Sequence, residues 1–142
     1  TLIGTNAFFQ QGSPPRKLAT CTHFGIGYLG KGAKRRLETV QYAKMTQKLI
    51  HAGSTTEANW NDRSIGVELE GFVGDPWPDE VIEACAALAR VEILPRYPLI
   101  FPERKHILGH SEVPGATHTD PGTNFPWDDF MALLRGQGAA CP

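Results

Sequence analysis

Two imidazoles and a carboxylate are gathered in the stretch Gly109-His110-Ser111-Glu112-Val113-Pro114-Gly115-Ala116-Thr117-His118-Thr119-Asp120-Pro121-Gly122, whose two prolines and three glycines leave the backbone few conformations. That is the composition of a zinc loop. Zinc takes nitrogen and oxygen ligands at roughly 2.0–2.2 Å, and a catalytic site holds three protein ligands while leaving one position open to water. His110 and Asp120 are the two ligands expected from this loop. His118 stands two residues before Asp120, so in an extended segment it shares a face with Asp120 and lies beside the metal without having to bind it.

The chemistry also needs a base. In Ser64–Glu70, Ile65, Val67 and Leu69 alternate with Gly66, Glu68 and Glu70, the pattern of a strand with one apolar and one acidic face. Glu68 on the acidic face can serve as general base toward an activated water. Glu70 shares that face, and alternation does not separate the two. The bland alternative is a solvated or salt-bridged acidic face.

Other elements must hold these residues. Leu2 to Gln11 reads as a short amphipathic helix, and Thr22 to Leu29 as a strand turning through Gly30-Lys31-Gly32 into a second strand from Leu37 to Tyr42. Trp77-Pro78-Asp79-Glu80 opens a helix, with proline and two acids where the missing N–H and the helix dipole favour them. Val81, Ile82, Cys85, Leu88, Ala89 and Ile93 form its buried stripe. Lys105 to Leu108 is expected as a short strand delivering the metal loop. Trp127 to Leu134 is expected as a closing helix with Phe130, Leu133 and Leu134 inward. The order predicts an α/β fold, a mixed central β-sheet flanked by helices.

At 142 residues the chain fits a single domain spanning 1–142. Fourteen basic and fifteen acidic residues leave a net charge of -1, without the basic footprint of a nucleic-acid binder. Lys31, Lys34, Arg35 and Arg36 read as a solvated turn. No apolar run approaches the roughly 20 residues of a membrane span, and the first residues do not form a secretion signal. Cys21, Cys85 and Cys141 are too few and too scattered for a disulfide framework or a cysteine zinc knuckle. Cys85 is expected in the core.

The remaining candidates carry two readings each. His23 and His106 are more often hydrogen-bonded core residues than ligands. His51, before a glycine turn and the polar loop Ser54–Asn61, either lines the site or braces the loop. Trp60, Trp77 and Trp127 read as packing residues, with Trp60 also placed to stack on a sugar or peptide. No nucleophile elbow or phosphate-binding glycine loop occurs, which disfavours a serine hydrolase or nucleotide enzyme.

Taken together, His51-Ala52-Gly53, Ser64-Ile65-Gly66-Val67-Glu68-Leu69-Glu70-Gly71, Gly109-His110-Ser111-Glu112-Val113-Pro114 and His118-Thr119-Asp120-Pro121-Gly122 closely resemble the type 2, zinc-dependent N-acetylmuramoyl-L-alanine amidases. Phage endolysins and peptidoglycan recognition proteins share that fold. Thr22-His23-Phe24 and Phe125-Pro126-Trp127 also fit, so the likeness runs from about Phe8 to Leu134. It implies that His110 and Asp120 bind Zn2+, that Glu68 rather than Glu70 is the acid/base, and that His118 stands near the scissile carbonyl, where family members carry a lysine or another polar group. His51 and Trp60 become candidates for substrate contact. The implied substrate is peptidoglycan, cut at the amide between N-acetylmuramic acid and the L-alanine of the stem peptide. A monomer acting at the bacterial cell wall, secreted or released by a phage, is the corresponding expectation, with no nucleic-acid or membrane partner.

Two departures stand out. The family's third ligand is a histidine on an N-terminal strand, and no histidine precedes His23. Either Gly4 replaces it, or Gly4 to Gln10 matches the helix that follows that motif and the chain begins after it; the helical look of Ala7-Phe8-Phe9-Gln10 favours the second. Ile50 stands where many members place a tryptophan. If the metal site were incompetent, the alternative function is a catalytically inactive peptidoglycan-binding module.

Overall fold

Among the described residues, β1 (Phe24–Leu29) runs between two other strands in the order β2-β1-β3, with β2 (Arg36–Gln41) antiparallel and β3 (Val67–Leu69) parallel to it. The computed structural model describes residues 21–53 and 59–137. The helix expected over Leu2–Gln11, part of the Ser54–Asn61 loop and Cys141 lie outside these. The β1–β2 hairpin was expected, and its turn depends on Gly30. There φ is +86°, and a Cβ would meet the Lys34 carbonyl oxygen at 2.2 Å, so only glycine fits.

β3 is shorter than the alternating run from Ser64 to Glu70. Its register pairs Phe24 with Val67, Gly25 with Glu68 and Ile26 with Leu69. The backbone pairing reaches a little further, since the N–H groups of His23 and Phe24 donate to the Gly66 carbonyl and that of Glu70 to Ile26. Partners in a parallel pair project to the same face. Phe24 and Ile26 are therefore buried with Val67 and Leu69 against them, while Glu68 projects from the opposite side.

The apolar face is covered by two helices, α2 (Asp79–Leu88) and α3 (Trp127–Leu134). A short α1 (Trp60–Arg63) precedes β3. Every member of the expected α2 stripe is buried, including Cys85, and the helix runs on through a wider turn, Ala89–Ile93, and a tight one, Leu94–Arg96. In α3, Phe130, Met131 and Leu134 are buried. Leu133, expected inward, is only partly covered, while Met131 is buried. Phe125 sits among Trp77, Trp127 and Phe130 with ring centroids 4.5–5.8 Å away, so Trp77 and Trp127 are packing residues as expected.

Two expectations fail. Lys105–Leu108 is not a strand: the Glu103 carbonyl accepts the N–H groups of His106 and Ile107, which coils this charged segment into turns. Among the described residues no β partner pairs with it. His106 is accordingly exposed rather than core, and its Nδ1 accepts the Phe101 N–H at 2.7 Å.

His23, in contrast, is fully buried. Its Nδ1 accepts the Gly66 N–H at 3.0 Å, so Nε2 carries the proton and donates to the Gln47 carbonyl at 3.0 Å. Burial holds its pKa below the ordinary 6.5. The unfolded chain therefore binds a proton that the folded one refuses, so stability is full above about pH 6.5 and drains as pH falls below it. We expect His23→Gln, which keeps one donor and one acceptor, to be less stable at pH 7.5 by about 1–3 kcal/mol and to lose less on acidification to pH 5; thermal unfolding midpoints of both proteins across that range check this.

Candidate metal and catalytic site

The loop from Gly109 to Gly122 is closed on itself before any ion is considered. A tight helical turn, His110–Glu112, begins it, and the Ser111 N–H donates to the Asp120 carbonyl at 2.9 Å, setting His110 and Asp120 side by side. Glu112 fastens the turn from below: its carboxylate accepts the Gly109 N–H at 2.6 Å and pairs with the Arg104 guanidinium. Arg104 also donates to the Ile107 carbonyl and lies 3.3 Å from the centre of the Trp127 ring. Burial alone would raise the Glu112 pKa, but the Arg104 and Gly109 hydrogen bonds outweigh it and hold the carboxyl below its ordinary range. Gly109 has no room for a side chain, since a Cβ would lie 2.6 Å from the Pro121 ring.

At the loop's mouth the three candidate side chains converge. One ligand atom from each of His110, His118 and Asp120 lies within 4.8 Å of the others. His110 Nδ1 is 3.3 Å from Asp120 Oδ2, and His118 Nδ1 is 3.7 Å from Oδ1. The two imidazoles stack with centroids 4.1 Å apart and planes inclined by 14°. Nitrogen and carboxylate oxygen gathered this way fit a divalent ion such as zinc.

Glu68 faces this cluster from β3. The protein crowded about its carboxyl and the negative charge of Asp120 raise its pKa above 4.5, while His118 pulls the other way. Its edge nonetheless stays open to solvent. Glu70 is distinguished from it by a task of its own, accepting the Tyr28 N–H at 2.8 Å. A groove of about 270 Å3 runs from Glu68 past Leu69, Glu70 and Phe72 to Tyr28 and Arg35.

His51 braces the loop. Its Nε2 meets the Ser64 hydroxyl at 2.8 Å, its Nδ1 lies 3.2 Å from the Leu49 carbonyl, and its ring presses on Gly66, where a Cβ would come within 2.7 Å. Burial, then the neighbouring His23, push its pKa down to about 4, with His110 adding to the effect and the Leu49 carbonyl opposing it. Asn61 of α1 completes the brace by accepting the N–H groups of His51 and Ala52 and donating to the Gly53 carbonyl. Trp60 opens α1 with Arg63 over its ring at 4.6 Å. Neither His51 nor Trp60 lines the groove beside Glu68.

Sequence reasoning passed over Tyr42. Its ring lies across Gly25, the β1 partner of Glu68, so closely that a Cβ there would come within 2.6 Å. Burial first, then Cys21 and Glu68, raise the phenol to about 12, so it keeps its proton as a donor at neutral pH. The signal was Gly25 inside a strand, where a glycine marks close approach of another group.

The model of the N-acetylmuramoyl-L-alanine amidase family matches residues 4–123. The chain belongs to this family. It is similar to the 1,6-anhydro-N-acetylmuramyl-L-alanine amidases AmpD of Enterobacter cloacae (36% identical over 104 residues, 71% of this chain and 54% of the relative) and Citrobacter freundii (33% over 117 residues, 78% and 60%). The chain thus spans a little over half the length of these curated relatives. A crystal structure of a selenomethionine AmpD derivative superposes with a TM-score of 0.68 at 28% identity, covering 95% of this amidase-family chain and 74% of that one. The expected α/β fold and family are therefore correct. The expectation of a secreted or phage-released protein is not: the relatives are AmpD amidases of bacterial cells, the Escherichia coli protein among them at 34% identity.

The whole loop hangs from Glu112. Glu112→Ala strands the Gly109 N–H and the Arg104 guanidinium, and should cost about 1–3 kcal/mol in a urea unfolding series, with faster exchange of the Gly109 amide hydrogen.

Proposed function

We propose that this protein is a zinc-dependent amidase that hydrolyses the amide between the lactyl group of N-acetylmuramic acid and the L-alanine of a stem peptide. The relatives' names direct the choice of substrate toward the 1,6-anhydro form of the sugar. The single observation that carries the reading is the placement of Glu68 across from the His110–Asp120 pair, with its pKa raised partly by Asp120. A binding module has no need of a carboxylate there.

His110 and Asp120 would hold the ion. When bound, zinc supplies Lewis-acid polarisation of a carbonyl and brings the pKa of water toward about 7. Glu68 takes the proton of the attacking water and returns one to the departing alanine nitrogen, a shuttle for which a carboxyl of raised pKa is suited. Tyr42, protonated at neutral pH, holds a donor on the same side of the sheet. The groove from Glu68 to Tyr28 and Arg35 offers a path for the peptide or sugar on one flank of the cut.

Glu68→Gln should leave folding and zinc content unchanged while lowering hydrolysis of an anhydro-muropeptide by about 10^2–10^4-fold, measured as free L-alanine amino termini. Wild-type turnover by that variant would falsify the role. Removing zinc with a chelator should abolish activity in the parent, and His110→Ala should purify with less than one tenth of the parent's zinc per chain by elemental analysis.

A further inference from the structure

Phe72 lines the groove that begins at Glu68, yet its side chain is 75% exposed. The turn that carries it is built for display. The Asp75 N–H donates to the Phe72 carbonyl at 3.1 Å, and Gly74, with φ at +94°, fills the third position of the turn, where a positive φ favours glycine. Trp77 lies against Gly71, where a Cβ would come within 2.9 Å of its ring, and Val73 packs on Gly122 of the metal loop, 3.0 Å from where a Cβ would stand. The Asn124 amide donates to the Asp75 carbonyl at 2.5 Å. Phe72 is therefore held out to solvent on a backbone fixed against the metal loop, and a ring displayed in this way loses little freedom when a ligand stacks on it. We propose that Phe72 and the groove beside it receive the sugar ring of the substrate, and that the stem peptide leaves the cut on another side. The assignment rests on the amidase reading and deepens it by naming the part of the substrate that the groove holds.

Size, surface and charge all point to a sugar. The groove's 270 Å3 lies just under the roughly 300–1,000 Å3 usual for small-molecule pockets, room for one ring rather than a run of peptide residues. Phe72, Tyr28, Pro76 and Pro78 give it flat apolar faces, with Asp75 and Arg35 as polar edges. The Tyr28 wall is itself fixed, with the Arg35 guanidinium 3.6 Å over its ring and its hydroxyl donating to Glu80 at 2.5 Å. A sugar ring is divided in the same way, with C–H groups on its faces and hydroxyl and amide groups around its rim. Charge separates sugar from peptide: Glu68, Glu70 and Asp75 bring three carboxyl groups to the lining against the guanidinium of Arg35. A stem peptide ends in a carboxylate that this surface repels, whereas a muramyl sugar whose lactyl group is held in an amide is uncharged. In the 1,6-anhydro form of the proposed substrate one ether oxygen replaces two hydroxyls, which makes the ring a more apolar partner for Phe72.

The test compares two substrates on the zinc-loaded parent, Phe72→Ala and Phe72→Trp, with thermal unfolding of each protein to confirm its fold. 1,6-Anhydro-N-acetylmuramyl-L-alanine presents the sugar with a single amino acid, and the same sugar bearing a three-residue peptide adds chain without altering the ring. We expect Phe72→Ala to raise KM about 10-fold or more, and by the same factor, for both substrates. Its kcat should stay within about twofold of the parent's, because the contact is remote from the reacting atoms. Phe72→Trp, which keeps an aromatic face, should restore KM to within about threefold of the parent's. If Phe72→Ala leaves both KM values at the parent's level, or if the loss is confined to the substrate with the longer peptide, the assignment is overturned and the amidase reading survives. A parent that hydrolyses neither substrate overturns both.

Discussion

The bond from the Gly109 N–H to the Glu112 carboxylate, at 2.6 Å, is the constraint on which the site depends. It tightens the turn that carries His110, and the Arg104 guanidinium on the same carboxylate ties that turn to Trp127 and so to the core. A loop this rich in glycine and proline has no sheet ladder to fix it. Its rigidity comes from one acceptor shared by a backbone donor and a cation, and from the Ser111–Asp120 bond that brings its two ends together. Pre-arranged donors matter because a ligand set that must be gathered at binding loses affinity to ordering.

The second half of the chemistry arrives by an unrelated route. Glu68 is set by parallel pairing of β3 with β1, and its direction follows from the pleat once Val67 and Leu69 are drawn into the core. Burial of the apolar face thus aims the acid. Behind both halves lies a layer of neutral histidines and amides: His23 fastens β1 to the Gly66 backbone, His51 fills the space left by Gly66, and Asn61 clips the His51–Gly53 segment. These polar groups are satisfied almost wholly by backbone, which keeps buried nitrogen from costing stability.

Much of this was legible before any coordinates. Alternation placed Glu68 outward because period two is a property of the pleat, and the α2 stripe was legible because burial against a sheet demands helical spacing. Alternation is equally blind for Glu68 and Glu70, and in the structure the Tyr28 N–H on Glu70 and the Asp120 charge beside Glu68 separate them. The failed strand at Lys105–Leu108 shows the limit of local pattern: whether a short run extends depends on a neighbouring strand, which four residues cannot report. His106 was misjudged for the same reason. Tyr42 escaped notice because a side chain's reach across a strand is written in the glycine it covers, and not in its own neighbours.

β3 spans three residues beside a β1 of six, so beyond Ile26 the central strand outlasts its parallel neighbour. At Tyr28 the missing carbonyl is supplied by a side chain, Glu70. An exposed rung of this kind is ordinarily an invitation to foreign chains, which can dock there and seed aggregates. With a charged group occupying the rung, an approaching strand meets both a filled donor and a repelling carboxylate. The same acid that looked like a spare catalyst in the sequence therefore closes the open rung beside the short strand.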